Sequence, residues 1–241
     1  MNRTRFASLL LAILITLSIM MYIAPSSASR NEPDNGNRDD LLMFTARIID
    51  ISETSLEVES ETYNGTVIAR GEWFYISNSL GKASWSEAMD IIEPGEATIL
   101  MKFYRRSNNT IPVLLGVKQE EIVIVREAFT RSSIVDHKNV RGFIEISGVL
   151  AKTGENYLIL NKEGSNILFK ITNDITWRVA GDGEATWNQL RDTFARGDHI
   201  QIYFKRLVRF NDLFTEFTGI RGVADGYGTI IDLTNGVTIT T

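Results

Sequence analysis

From Met43 onward, apolar and polar residues alternate with a period of two, in short runs broken by glycine and turn formers. That is the pattern of half-buried strands. Phe44, Ala46 and Ile48, then Leu56 and Val58, predict two strands turning around Ser52-Glu53-Thr54. A third segment runs from Thr66 to Ile76, with Gly71 as a bulge or a break. The period then changes, and a helix is expected from about Trp85 to Ile92, closed by Pro94-Gly95. Ile99 to Tyr104 reads as a fourth strand, and Pro112–Val117 with Glu121–Val125 as closing strand material.

The second half repeats this order. Strands are expected over Phe143–Leu150, Tyr157–Leu160 and Ile167–Ile171 (continuing toward Trp177), a helix near Trp187–Phe194, and a strand over Ile200–Val208. Phe214–Ile220 and Gly228–Leu233 read as a last strand or pair. One interval separates Gly81 from Gly183, Trp85 from Trp187 and Gly95 from Gly197. Both helices open on a capping box, Ser84-Trp85-Ser86-Glu87 and Thr186-Trp187-Asn188-Gln189. One unit is written twice. Burying each tryptophan over an open barrel end would remove roughly 150–250 Å² from water.

Five strands with a helix between the third and fourth is the order of the OB-fold. The expected fold class is therefore mainly β: two tandem OB-like five-stranded barrels, each with one short helix between strands 3 and 4. Residues 42–126 form the first domain and 141–234 the second, joined by a connector at 127–140. The threonine-rich tail at 235–241 either pairs as a strand or frays.

Gly148-Val149-Leu150, Thr176, and Leu190 followed by Gly197-Asp198-His199-Ile200-Gln201-Ile202 resemble the repeating OB-like domains of uncharacterised exported prokaryotic proteins. The resemblance spans most of residues 42–234. The first unit departs from it, with Glu96 in place of the aspartate and no glycine opening its first strand. It implies a β-barrel module at the cell surface and carries over no catalytic residue.

The N-terminus points to export. Arg3 and Arg5 precede an apolar run from Phe6 to Ala24, followed by Pro25-Ser26-Ser27-Ala28-Ser29. This is a signal peptide, or a membrane anchor if residues 6–24 stay attached, and that run is the only membrane contact expected. The polar residues 30–41 read as a flexible leader. The chain carries a net charge of −5. Residues 1–29 hold two arginines and no acid, so cleavage there leaves 23 basic against 30 acidic side chains, a net of −7. No specific nucleic-acid partner is expected from that balance. Asn64-Gly65-Thr66 and Asn108-Asn109-Thr110 are glycan acceptor patterns in an exported protein.

Cysteine is absent, which excludes disulfides, thiolate metal sites and cysteine nucleophiles. His137 and His199 have no partner at ligand spacing, and no phosphate loop or hydrolase motif is present. The expectation is a protein with no catalytic set, no metal and no cofactor, and so not an enzyme.

One constellation carries binding chemistry. Lys102, Tyr104, Arg105 and Arg106 end the fourth strand of the first unit, as Tyr203, Lys205, Arg206 and Arg209 do in the second. Interleaved cations and aromatics suit stacking and pairing with sulfate or phosphate groups. The same alternation would also arise where aromatics face the barrel and cations protect an edge. The first expectation for function is an exported, non-enzymatic structural or interaction module, with self-association through edge strands. The alternative is an extracellular oligosaccharide- or polyanion-binding protein using these segments.

Overall fold

The first strand alternates as read: Phe44, Ala46 and Ile48 are buried while Thr45, Arg47 and Ile49 face solvent. The structure is a computed structural model that describes residues 41–106, 109–172 and 175–241, with the side chains of Arg106 and Tyr227 left aside. The signal or anchor reading of residues 1–29 and the leader lie outside the described residues. No helix among the described residues is long and apolar enough to cross a membrane.

In the first repeat β1 (Leu41–Ser52), β2 (Ser55–Glu59) and β3 (Asn64–Ile68) form an antiparallel meander. β6 (Gly95–Arg106) pairs with β1, and β7 (Asn109–Gln119) pairs with β6. A parallel contact between β3 and β7 closes a five-stranded barrel with OB connectivity. Between β3 and β6 come a hairpin, β4 (Glu72–Ile76) and β5 (Leu80–Ser84), and helix α1 (Trp85–Ala88) with a 3₁₀ turn at Met89–Ile91. β8 (Ile122–Arg126) returns along β7 and pairs with β4. The stretch from Thr66 to Ile76 is thus two strands, broken at Ala69–Gly71, and only β3 belongs to the barrel.

The second repeat has the same plan. β9 (Ile134–Thr153), β10 (Tyr157–Lys162), β11 (Ser165–Lys170), β14 (His199–Phe210) and β15 (Ile220–Asp232) close the barrel. β12 (Thr176–Val179), β13 (Gly183–Thr186), helix α3 (Trp187–Leu190) and β16 (Thr238–Thr240) complete it. The tail is therefore a strand paired on both sides, with β15 and β12, and buries Ile239 in the core.

Two stretches differ from the sequence reading, the second half of the connector and the segment at Phe214. The connector is helix α2 (Glu127–Ser132) followed by the first half of β9, which pairs with β14 from Ile134↔Phe210 to Asn139↔Arg206. Few side chains are buried there, so this strand leaves no period-two signal. Phe214 does not start a strand: it lies in helix α4 (Asp212–Thr218). Asn211 caps that helix by accepting from Phe214 N at 2.9 Å, and Gly219, at φ 76, ends it in the left-handed conformation. The apolar spacing of Leu213, Phe214 and Phe217 is a short helix face rather than a strand alternation.

Both capping boxes form. Ser84 N donates to Glu87 Oε2 at 2.8 Å, and Thr186 N donates to Gln189 Oε1 at 2.8 Å. Each cap delivers its tryptophan into the barrel mouth. Trp85 Nε1 donates to Ser52 O at 2.9 Å, and Trp187 Nε1 donates to Gly154 O at 3.0 Å. Both acceptors sit where the first barrel strand ends. The tryptophans are 2% and 1% exposed and are plugs for the two cores.

Hydrogen bonds from the Ser84 backbone and hydroxyl lower the carboxyl pKa of Glu87 from its usual value. A lowered folded-state pKa contributes stability above the unfolded value of about 4.3, and that contribution is lost as pH falls through the folded value. We expect the melting temperature of the parent protein to drop on acidification below pH ~4, and Glu87→Gln to show a smaller drop. Parallel melting curves of parent and variant against pH would refute the cap assignment.

All described residues belong to one compact unit. Leu100, Leu115, Val123 and Val125 point out of the first barrel yet are at most 6% exposed, because Phe210, Phe214 and Phe217 of the second repeat and Phe129 of α2 cover them. Polar contacts add to this seam. Asn156 exchanges two hydrogen bonds with the Leu80 backbone, and Lys152 Nζ lies 2.6 Å from Glu121 Oε2.

Candidate functional site

The two barrels close differently, and that difference creates a groove. The parallel seam of the second barrel holds four registered pairs, from Asn166↔Ile220 to Phe169↔Ala224. The seam of the first holds a single pair, Ile68↔Val113. A cleft of about 670 Å³ opens there, floored by Leu41, Val113, Leu115 and Phe129 and walled by Arg70, Lys102, Tyr104 and Arg126.

Its polar side chains come from three places. Lys102 and Tyr104 share one face of β6, and the Lys102 ammonium stands over the Tyr104 ring at 5.0 Å from the centroid. Arg70 follows β3 at the break before the hairpin, and Arg126 ends β8. Backbone pairing of Trp73 with Arg126 draws these two arginines together. A Cβ on Gly71 would lie 3.8 Å from Arg126 Nη2, an ordinary contact, so the guanidinium lies close beside the chain; the glycine itself is favoured by its φ of +91. No acid lines the cleft among the described residues. In an acidic protein, three cations and a phenol around an apolar floor make a locally positive surface.

The other residues singled out by sequence are placed elsewhere. Arg105 lies exposed at the end of β6, outside the lining, and Arg106 is described only as backbone paired with Asn109. In the second repeat the corresponding residues do not line this groove. Arg206 pairs with Asp225 through Nε and Oδ1 at 2.5 Å, and Lys205 lies over the Phe143 ring at 5.2 Å. The Tyr203 hydroxyl is held above its usual pKa, first by desolvation and then by the Glu145 carboxylate. Arg209 is exposed, with its backbone opposite Asp136 and Gly222. The two strand-4 segments therefore form no common site. Lys102 and Tyr104 join a groove; Lys205 and Arg206 do not.

Arg70 and Arg126 escaped the sequence reading. One signal existed: both are arginines flanking the same hairpin, at Ala69-Arg70-Gly71 and Val125-Arg126-Glu127. What joined them to Lys102 was the pairing of β4 with β8, a long-range contact with no local mark. The two histidines stay apart, His137 on β9 and His199 opening β14, and neither lines the groove. Asn64 is exposed at the start of β3, and Asn108 lies outside the described residues. Comparison of the chain with protein-family models, curated proteins and solved structures yields no match.

Proposed function

We propose that this protein is a non-catalytic binding module, exported by its N-terminal segment, that takes an anionic extracellular polymer such as an acidic or sulfated glycan. The observation that carries the reading is the acid-free groove in which Arg70, Lys102 and Arg126 converge beside Tyr104. An open cleft of this kind suits a strand passing through it rather than an enclosed small molecule. The cations would pair with successive anionic groups while Tyr104, 41% exposed, offers a ring face to a sugar. The second barrel buttresses the floor, since Leu115 and Phe129 are held by the seam between the barrels. A purely structural role through edge strands has less support from the fold. The tail strand is paired on both sides, and the edges left among the described residues are short: β5, β13 and most of β3 at the open seam.

Heparin titrated into the full-length protein tests the proposal. Binding should weaken with added salt, and Arg70→Ala/Arg126→Ala should weaken it about tenfold or more, two partly exposed ion pairs being worth roughly 1 kcal/mol each. Arg206→Ala should change little, because Arg206 is already paired with Asp225. Salt-insensitive binding, or equal losses in both variants, would overturn it.

A further inference from the structure

A second cavity, sharing no lining residue with the groove, lies between the two barrels. Its volume is about 360 Å³, within the range of small-ligand sites. Ile76, Val123 and Val125 of the first repeat and Leu168, Val208 and Phe210 of the second form its walls. It opens to solvent much as the groove does, but its walls are almost wholly apolar. It is too apolar to hold ordered water well.

The mouth has the opposite character. Lys82, Arg131 and Lys170 line it, and no acid does among the described residues. Glu127 pairs with the first two, 3.2 Å from Lys82 Nζ and 2.7 Å from Arg131 Nη2, and Glu72 is 3.5 Å from Lys82 Nζ. Lys170 is exposed at the end of β11. Ile134, 43% exposed, continues the apolar wall out to the rim.

An apolar shaft ending in cations is complementary to an alkyl chain ending in an anion. We propose that this cavity binds a single free fatty carboxylate, its chain between the barrels and its head group at Lys170, with Lys82 and Arg131, both paired with Glu127, flanking the rim. At roughly 30 Å³ per water-sized methylene, the cavity holds a chain of about twelve carbons. The occupant bridges the two repeats, so its binding stabilises their packing against each other.

Laurate titrated into the full-length protein tests this directly. One saturable site is expected, with dodecanol binding more weakly and dodecyltrimethylammonium more weakly still. Lys170→Glu should weaken laurate binding about tenfold, as expected for exchanging an exposed ion pair for a like-charge contact. Val208→Phe, which fills the shaft, should abolish saturable uptake. If that variant fails to fold, the rim variant decides. The apolar run at residues 6–24 is common to all these chains, so uptake there would be unaffected by either change. Arg70→Ala/Arg126→Ala should leave laurate binding intact, which separates this site from the groove. Equal affinity for the cationic amphiphile, or laurate uptake unchanged in the rim variant, would overturn the proposal. Binding to anionic vesicles without binding of free laurate would overturn it too, in favour of a membrane surface.

Discussion

Trp187→Ala should lower the unfolding free energy by about 3–5 kcal/mol, the range for truncating a buried large aromatic. The side chain is 1% exposed, stacks on Phe194 at 5.8 Å and leans on Trp177 at 6.5 Å. Removing it opens the barrel mouth and strips the Gly154 carbonyl of the buried indole donor it accepts from. Urea or guanidinium titration followed by circular dichroism would measure the change. Trp187→Phe should cost less, because it keeps most of the volume and loses only the hydrogen bond and one ring. Trp85→Ala should behave alike in the first barrel, where Trp85 leans on Trp73 at 5.1 Å. A loss below about 1 kcal/mol for either alanine variant would show that these rings are not the plugs their burial indicates.

Phe217→Ala should cost a similar amount, about 3–5 kcal/mol, for a different reason. Phe217 is 1% exposed on α4 and packs against β7 of the other repeat, where Gly116 leaves room for its ring. A Cβ on Gly116 would come within 2.4 Å of Phe217 Cε1 and 3.2 Å of the Ile124 carbonyl oxygen. Gly116→Ala should therefore also destabilise, since overpacking typically costs 1–3 kcal/mol. The two changes compete for one space, so the double variant Gly116→Ala/Phe217→Ala should lose less than the sum of the singles. Strict additivity would argue against the ring–glycine contact. Because the contact joins the repeats, limited proteolysis of Phe217→Ala should expose sites near 127–140 before either barrel core is cut.

Much of the fold was legible locally. Alternation in β1 and β2, the twin capping boxes and the equally spaced glycines mark strands, helix starts and duplication, because each depends on residues a few positions apart. The capping boxes also identify the tryptophans as structural. The reading failed where burial came from afar or was nearly absent. The first half of β9 buries few side chains, so no pattern marked it. The phenylalanines of α4 are dense enough to suggest a strand, although their spacing is helical and Asn211 and Gly219 bracket the helix. The continuous apolar runs Ile99-Leu100-Met101 and Val123-Ile124-Val125 indicate strands covered on both faces, but not what covers the outer one.

The candidate site divides in the same way. Lys102 and Tyr104 stand two residues apart on one strand, so sequence placed them together. Arg206 reads as their counterpart in the repeat, but Asp225, across the β14–β15 ladder, occupies it. By itself the sequence determined a duplicated β-barrel with a capped, tryptophan-led helix in each half, since capping and alternation are short-range properties of the chain. Tertiary structure alone decided the rest. It packed the two barrels into one unit, opened the first at a seam of one residue pair, and brought Arg70 and Arg126 to Lys102. Those outcomes depend on registers between strands distant in sequence, and a register leaves no trace in either residue it joins.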